Sequence, residues 1–502
     1  MRDTWNSRSG FLLAAIGAAI GLGNLWRFPF QAYKNGGGAF FLPYFVALIT
    51  CAIPLMIMEY TYGRIVRGGS TKAFSKLNKK LELVGWIQVM VPLVVIMFYS
   101  AIISISLVFM VGCISYAFGF TSFLDMTNPG PFMGMVTGSA ESAFDFKSGI
   151  SVYMLVSVVI VWLFNGTIVS KGISGGIEKI SKVFTPILMV LIIVFMFRSV
   201  TLDGAVVGLN ALFEPDFSKI ADPRVWISAY SQVFFSTTLA VGVMIAYGSY
   251  LNENDDIVNN SLITVLSNAS FDIIAGITVF STLGYLVSAT GADFESFGTG
   301  AGVAFIAFPI AISTTTSSVF LQGMLGFLFF LCLFVAGISS SISMVESFNT
   351  AALDKFKIDR RKLTKIVSVI GFAGSALFST YAGFNIILDI VDQYVANFII
   401  ATLGLVEVIA ISYIYKTENL RVEANRCSDF KIGVWWDVLL KVFTPVLLGI
   451  TVLLNFITAI GDLTKLDGME FWGNIVFGFG TITLMIGAAV IFYKKPWTAE
   501  EE

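Results

Sequence analysis

A glycine-rich break and a charged residue interrupt the first apolar run of this chain. Residues 11–35 read FLLAAIGAAIGLGNLWRFPFQAYKN, in which Gly-Leu-Gly-Asn breaks the middle and Arg27 follows shortly after. Hydrocarbon offers no partner for freed N–H and C=O groups, so a break and a charge persist there only inside protein or beside a watery cavity. The run therefore predicts a polar site at membrane depth.

Oxygen-bearing side chains also collect in two later apolar segments. Asp272 follows Asn268 by four residues, so both lie on one face of a helix. A lone acid there costs about 2.5–3.5 kcal/mol of insertion free energy unless it has a partner. The run 225–250 carries Ser236-Thr237-Thr238 at its middle, although such residues often bond only to their own helix carbonyls. Paired interrupted helices in two halves of a chain are typical of a transporter site, with half-helix ends facing charged groups.

The composition places these segments in a membrane protein. Of the 502 residues, 56% are hydrophobic and 13% charged, whereas a soluble domain has roughly 45–50% apolar and about 25% charged residues. We predict an all-α polytopic membrane protein in which residues 1–502 form a single transmembrane domain. Most of the predicted spans reach the roughly 20 residues that a helix needs to cross a bilayer. The twelve spans are 11–34, 39–63, 84–118, 150–169, 174–199, 225–250, 257–289, 318–353, 362–381, 385–415, 435–460 and 470–493.

The distribution of Lys and Arg predicts the orientation. With the N-terminus inside, 24 of the 31 basic residues lie on the inner side, so the positive-inside rule favours cytoplasmic N- and C-termini. Arg2 and Arg8 precede the first apolar run, but no small-residue cleavage site ends it, so we expect this run to be retained as a helix. The chain is predicted to be a multi-pass protein of a cell inner (plasma) membrane.

Several other function classes have no support in the sequence. The net charge of −2 gives no nucleic-acid signature, and the basic runs are explained as topology signals. Histidine, the commonest metal ligand and general base, is absent. The four cysteines do not form a metal-binding spacing. We therefore predict that the chain is not an enzyme and has no nucleic-acid partner.

Five strings carry a family resemblance. The string GLGNLWRFP at 21–29, followed by NGGGAF at 35–40, resembles the neurotransmitter:sodium symporter family. The strings IPLMIME at 53–59, QVFFSTT at 232–238 and AGISSSI at 336–342 match it in the same order. The resemblance implies the LeuT fold: two inverted five-helix repeats (spans 1–5 and 6–10), discontinuous helices 1 and 6, a core at about 8–415 and peripheral helices at about 435–493.

The same resemblance implies sodium-coupled import of an amino acid by alternating access. A sodium-dependent sensor or a channel-like protein on the same fold remains an alternative, and a homodimer is possible within this family. The cofactors implied are two sodium ions, with no organic cofactor. Both sites would use only oxygen ligands, as a hard cation requires.

The resemblance assigns protein ligands to both sodium sites. For the first sodium, completed by the substrate carboxylate, they are Ala19, Asn24, Ser236 and Asn268. For the second sodium, they are the carbonyls of Gly17, Ile20 and Ala336 and the hydroxyls of Ser339 and Ser340. The hydroxyl residues Ser236 and Ser339 stand where bacterial relatives commonly have threonine.

The substrate pocket implied by the resemblance is mostly apolar. Its residues are Ala18, Ala19, Gly21, Gly23, Val95, Tyr99, Phe235, Thr238, Ala240, Val241, Ser340 and Met344. Tyr99 would donate to the substrate carboxylate and Phe235 would cover the side chain. Amine-transporting relatives have aspartate at the position of Ala18, so an amino acid is favoured. The small, apolar wall indicates a large hydrophobic or aromatic one, but one methylene is worth only about 1–3 kcal/mol, which leaves tyrosine, tryptophan, leucine and methionine open.

The resemblance also assigns gates and buried acids. The outer gate would be Arg27 with Asp392, and the inner gate Arg2 and Asp354 with Trp5 nearby. Arg2 and Asp354 as ordinary surface charges is the alternative. The structural acids Glu59 and Glu407 would brace spans 1 and 6 and could share a proton, because two close carboxylates do not both ionise cheaply.

Asp272 is expected to replace an anion. In chloride-dependent relatives this position is serine and a chloride ion supplies the negative charge. Asp272, with Tyr44, Gln232 and Ser236 around it, resembles a built-in substitute. We expect chloride-independent uptake with proton counter-transport by Asp272; a carboxylate that is only structural is the alternative.

Overall fold

The computed structural model describes residues 3–294, 302–314 and 316–499, and within them the regular elements are helices. β-structure in these ranges is limited to two isolated bridges, Gly37 with Pro215 and Ile150 with Thr380. Nine helices in the described part of the chain are long and apolar enough to cross a membrane. The predicted all-helical, membrane-spanning class is therefore confirmed.

The principal helices are numbered here in chain order. They are α1 Arg8–Ala19, α2 Leu22–Lys34, α3 Gly38–Val66, α4 Lys79–Ala117, α5 Val152–Val169, α6 Ile173–Val200, α7 Pro223–Ser236, α8 Val243–Gly248, α9 Ile257–Thr290, α10 Val319–Lys355, α11 Arg360–Leu377, α12 Gly383–Arg426, α13 Val434–Leu463 and α14 Gly468–Lys494. Three predicted spans are not among the nine long helices. They are occupied by the pair α1/α2, the pair α7/α8 and the helix α11. Shorter helices connect the long ones at Ser70–Leu77, Gly130–Thr137, Ala205–Phe213, Val303–Ala307 and Phe308–Thr314.

Polar side chains fix where many of these helices begin. A Ser or Asp side chain at the N-cap accepts a bond from a first-turn N–H, which satisfies one of the free donors of a helix end. The capping residues are Ser7, Ser151, Asp222, Asp256, Ser318 and Asp359. Local sequence therefore defines these helix starts independently of tertiary packing.

The first helix break lies between α1 and α2. Ile20 and Gly21 are extended there, with φ/ψ of −74°/111° and −126°/−174°. A Cβ at Gly21 would lie 3.1 Å from the Tyr99 hydroxyl and 3.3 Å from Ser340 Oγ. Asn24 Oδ1 accepts a bond from Gly21 N at 2.9 Å, which stabilises the start of α2.

The second break separates α7 from α8 and contains left-handed backbone. Thr238 and Ala240 have φ of +56° and +61°, a conformation that costs non-glycine residues about 1–3 kcal/mol. Glu59 accepts a bond from Ala240 N at 2.8 Å. Thr238 Oγ1 donates to the carbonyl of Ala18 in the first break at 3.0 Å, so the two breaks are in direct contact.

Long helices surround the two breaks. The helix α1 packs on α6, α9 and α10, while α2 packs on α9, and α10 runs along α4. By contrast, only 17% of the most apolar window of α13 and of α14 is buried. Burial therefore distinguishes a central group of helices around the breaks from two peripheral ones.

Candidate functional site

A cavity lies where the two breaks meet α4 and α10. It is lined by Ala18, Ala19, Gly21, Gly23, Asn24, Val91, Pro92, Val95, Phe98, Tyr99, Phe234, Phe235, Ser236, Thr238, Leu239, Val241, Ser340, Met344 and Ile400. Among the predicted substrate residues, Ala240 is not part of this lining. Its backbone N–H instead faces Glu59, and its Cβ packs toward Gly404.

Several lining residues are absent from the sequence prediction. Val91, Pro92 and Phe98 lie on α4 within one turn of Val95 or Tyr99, so helical spacing from those two residues could have identified them. Ile400 comes from α12 and is distant in sequence, so no local signal points to it. Together they make the cavity wall more apolar than the prediction implied.

The polar end of the cavity is formed by the start of α2. Leu22 N donates to the Tyr99 hydroxyl oxygen at 2.9 Å, and Gly21 precedes it at the helix N-cap. The N-terminal end of a helix carries partial positive charge and attracts anionic groups. This end of the cavity thus suits a carboxylate, whereas the rest suits an apolar group.

The side chains predicted for the first sodium form one buried chain of hydrogen bonds. Asn24 Nδ2 donates to Asn268 Oδ1 at 2.9 Å, and Asn268 Nδ2 donates to Ser236 Oγ at 3.0 Å. All three residues are at most 3% exposed. The structure thus collects amide and hydroxyl oxygens from α2, α7 and α9, an all-oxygen set of the kind that hard cations bind.

Asp272 is fully buried beside this chain. Its Oδ2 accepts from the Tyr44 hydroxyl at 2.6 Å, and its Oδ1 accepts from Asn24 Nδ2 at 2.8 Å. Both oxygens thus act as acceptors, as an ionised carboxylate requires. The buried amide of Gln232 has no hydrogen-bond partner within the described parts of the chain.

The residues predicted for the second sodium also converge. Ser340 Oγ lies 2.9 Å from Ile20 O and 3.4 Å from Gly17 O, while Ser339 Oγ lies 3.2 Å from Ala336 O. The Ser340 contacts join α10 to the end of α1, whereas the Ser339 contact lies within α10. Thr185, which the sequence prediction missed, reaches the same place, because a Cβ at Gly17 would lie 2.6 Å from its Oγ1.

At the proposed outer side, Arg27 lies over Phe235, with its guanidinium carbon 4.6 Å from the ring centroid. Asp392 is near enough to Arg27 for their opposite charges to interact. Arg27 also lines a second cavity, to which Phe234, Phe235 and Ile400 contribute as they do to the first. These three apolar side chains therefore lie between the two cavities.

At the opposite side, Arg2 lies outside the described residues. Trp5 is 3% exposed, its Nε1 donates to Tyr247 O at 3.1 Å, and its ring packs edgewise on Phe11 and Tyr247. Asp354 Oδ2 accepts from Gly69 N at 2.6 Å. Trp5 is thus held by the end of α8, and Asp354 by the loop after α3.

The sequence prediction missed a buried cluster near Trp5. Arg360 makes a two-pronged pair with Glu346, at 2.7 and 3.1 Å, and the Tyr250 hydroxyl donates to Glu346 at 3.0 Å. The carbonyl of Tyr250 in turn accepts from Trp5 N at 3.3 Å. Glu346 lies within an apolar span, and such an acid is itself a signal of a functional or paired position.

Glu59 and Glu407 contact different partners. Glu59 holds the second break through Ala240 N, and Glu407 Oε2 accepts from Gln88 Nε2 at 2.5 Å. The two acids lie near enough to interact electrostatically. Among the hydrogen bonds of the described residues, those of the two acids go to Ala240 N and Gln88 rather than to the first break.

Comparisons with known proteins agree with this geometry. A model of the "Sodium:neurotransmitter symporter family" matches residues 2–130 and 132–495. An uncharacterized sodium-dependent transporter of Methanocaldococcus jannaschii is 36% identical over 98% of both chains. The sodium-dependent nutrient amino acid transporter 1 of Drosophila grimshawi is 26% identical over 91% of this chain and 77% of its own length.

A solved structure has the same overall fold. The crystal structure of MhsT in complex with L-phenylalanine matches with a TM-score of 0.76 and 29% identity, covering 90% of this chain and 99% of that one. The motif resemblance, the two broken helices in contact and the nearly full-length family match all agree. This chain belongs to the sodium:neurotransmitter symporter family.

Proposed function

We propose that the chain is a sodium-coupled symporter that imports a large hydrophobic or aromatic amino acid. The family comprises sodium-coupled transporters rather than enzymes. The observation that carries the proposal is the cavity between the two breaks, whose lining is mostly apolar. The relative crystallised with L-phenylalanine supports an amino-acid substrate.

The cavity suggests how such a substrate binds. Its carboxylate would lie at the start of α2, beside Gly21, with the Tyr99 hydroxyl donating to it. Its side chain would pack among Val95, Phe98 and Phe235. Ala18 brings no negative charge to the cavity, so an amine that lacks a carboxylate would have no ionic anchor there.

Two sodium ions would couple transport to the membrane gradient. The buried oxygens around Asn24 and Asn268 would hold one ion, completed by the substrate carboxylate, and those around Ser339 and Ser340 the other. Two ions crossing 100 mV and a tenfold gradient provide about 7.4 kcal/mol. That free energy is sufficient for roughly 10⁵-fold accumulation of a zwitterion.

Asp272 would make uptake independent of chloride. Ionised, it supplies negative charge beside the first sodium while Tyr44 and Asn24 donate to it. Protonated in the empty carrier, it would return a proton across the membrane. The partners given for it, Tyr44 and Asn24, are neutral, which supports a carboxylate that changes charge rather than one that is permanently paired.

The proposed architecture has twelve spans: two inverted five-helix repeats and two peripheral helices. The protein would lie in the inner membrane of the cell, with both termini in the cytoplasm. Transport would proceed by movement of the broken helices against α4 and α10. Opening beside Arg27 and Phe235 would admit substrate, and opening beside Trp5 would release it.

The test is a thermal-shift screen of the twenty amino acids on the purified protein, with and without sodium. Stabilisation by a large apolar amino acid only when sodium is present would support the shared carboxylate and sodium site. If no amino acid stabilises the protein, the substrate class is wrong. Sodium-driven accumulation in proteoliposomes then separates a symporter from a sensor or channel, since neither of those concentrates solute.

A further inference from the structure

A buried hydroxyl on α6 bonds to α1 next to the residues predicted for the second sodium. Thr185 is 1% exposed, and its Oγ1 donates to the carbonyl of Leu13 at 2.8 Å. Buried threonines on other helices donate to the carbonyl four residues earlier in their own helix, a common arrangement, at Thr61, Thr264, Thr278 and Thr282. Thr185 thus joins two helices, where these other threonines stay within one.

The Thr185 bond holds the turn of α1 that ends at Gly17. In an α-helix the carbonyl of residue 13 also accepts the N–H of residue 17, so Thr185 shares its acceptor with Gly17. A Cβ at Gly17 would lie 2.6 Å from Thr185 Oγ1 and 3.3 Å from Ser339 Cβ. Thr185 of α6 and Ser339 of α10 therefore both reach this glycine and leave no room for a side chain.

The same turn presents a carbonyl predicted to bind the second sodium. Ser340 Oγ lies 3.4 Å from Gly17 O and 2.9 Å from Ile20 O. These contacts come from α10, whereas the Thr185 bond comes from α6, and α1 packs on both helices. The position of Gly17 O relative to α10 thus depends on the contact of α1 with α6.

We propose that Thr185 is a positioning residue for the second sodium site and acts through turn 13–17 of α1. The inference rests on the transport function proposed above, which assigns the sodium site to this place. With α1 docked on α6, the oxygens of Gly17 and Ser340 are held together. Opening beside Trp5 moves α1 away from α6, which breaks the Thr185 bond and separates Gly17 O from α10. Sodium affinity and closure of the inner side are therefore linked through this hydroxyl.

Sodium-dependent protection of a cysteine at the inner side tests this in the full-length protein. Ser249→Cys in a Cys427→Ser background is labelled with a maleimide at increasing sodium concentration, without amino acid. The remaining cysteines are buried: Cys51, Cys113 and Cys332. Thr185→Val keeps the side-chain shape but lacks the hydroxyl. It should raise the sodium concentration that gives half-maximal protection about fivefold, the effect of one neutral hydrogen bond.

Three further variants serve as controls. Thr185→Ser should keep the wild-type sodium concentration, because its hydroxyl reaches the same carbonyl. Thr278→Val is the matched control, since it removes a hydroxyl whose 2.8 Å bond stays within α9. In a Ser339→Ala background, Thr185→Val should have a smaller effect, because the site that it positions is already incomplete. Thr185→Ala replaces the valine variant if that variant fails to fold.

The outcomes separate the alternatives. A shift in Thr185→Val that Thr185→Ser and Thr278→Val do not show supports the proposal. A bond that only ties two helices together would lower thermal stability and leave the half-protecting sodium concentration unchanged, and that result overturns the proposal. A full fivefold effect in the Ser339→Ala background also overturns it. If sodium does not protect the wild-type protein at all, the proposed function fails and this inference fails with it.

Discussion

At the scale of single residues, the position of Asp272 decides the electrostatics of the proposed sodium site. It accepts hydrogen bonds on both oxygens, from Tyr44 and Asn24, and Asn24 also bonds to Asn268. A buried acid with neutral donors is costly unless a cation lies nearby. Bound sodium would supply that positive charge, so removal of the carboxylate should alter the ion requirement of transport.

We predict that Asp272→Ser makes uptake depend on chloride. Loss of the carboxylate should reduce chloride-free uptake at least about tenfold, since it removes more than roughly 1.4 kcal/mol of favourable interaction with sodium. Chloride should restore uptake, because serine leaves space for the ion. Uptake into proteoliposomes, with and without chloride, measures the effect.

Asp272→Asn provides the control for volume. It keeps the side-chain size while removing the charge, so chloride should not rescue it. Wild-type uptake that disappears when chloride is omitted would refute the role given to Asp272.

Tyr99→Phe should weaken substrate binding without removing sodium binding. The Tyr99 hydroxyl accepts from Leu22 N and would donate to the substrate carboxylate. A hydrogen bond to a charged group contributes about 1.5–3 kcal/mol, which corresponds to roughly tenfold or more in affinity. Equilibrium binding at saturating sodium measures it, and Val95→Ala, which alters only the apolar wall, serves for comparison. An unchanged affinity in Tyr99→Phe would exclude the hydroxyl from carboxylate recognition.

At the scale of elements, the second break is a strained segment held by its neighbours. The positive φ of Thr238 and Ala240 would not persist without the bonds that Glu59 and Ala18 provide. The break is therefore a product of packing against α1 and α3 as much as of its own sequence. The Glu59 contact should be essential to its shape.

We predict that Glu59→Leu lowers both stability and substrate binding. It leaves the buried N–H of Ala240 without an acceptor, at a cost of about 1–3 kcal/mol. Thermal unfolding without ligand measures the first effect, and sodium-dependent stabilisation by substrate measures the second. Glu407→Gln should be much milder, because its amide oxygen can still accept from Gln88; equal effects of the two variants would count against this role for Glu59.

At the scale of the whole molecule, we propose that aromatic residues close the pocket on both sides. Phe235 and Arg27 cover one side, while Trp5 packs against Phe11 and Tyr247 on the other. Opening either side requires helices to separate. Loss of one of these aromatic side chains should therefore change the balance between the outward-open and inward-open states.

Trp5→Ala is expected to shift the protein toward the inward-open state. The substitution removes a buried indole and its bond to Tyr247 O, so α1 loses much of its hold on α8. A cysteine introduced at the buried Ser249, in a Cys427→Ser background, should react with a maleimide several-fold faster in this variant. Trp435→Ala, a change at a 49% exposed position, should leave labelling unchanged. If Trp5→Ala also leaves it unchanged, Trp5 does not close the inner side.

The sequence by itself determined the membrane class and the locations of the breaks. Apolar runs of helix length, the Gly-Leu-Gly-Asn interruption and the Ser236-Thr237-Thr238 segment are local features, and local backbone preferences act on neighbours in the chain. The spacing of Asn268 and Asp272 likewise requires only the helical repeat. The motif resemblance then indicated the family, which the comparisons support.

Only the tertiary structure decided which distant residues meet. Ile400 enters the cavity from α12, Ala240 turns toward Glu59, and Arg360 pairs with Glu346 near Trp5. No local sequence period predicts these contacts, because each depends on how separate helices pack. Side-chain contacts between helices arise from close packing of the whole bundle, and this is why the broken first helix could be located from local sequence while the contacts of Ile400, Ala240 and Arg360 could not.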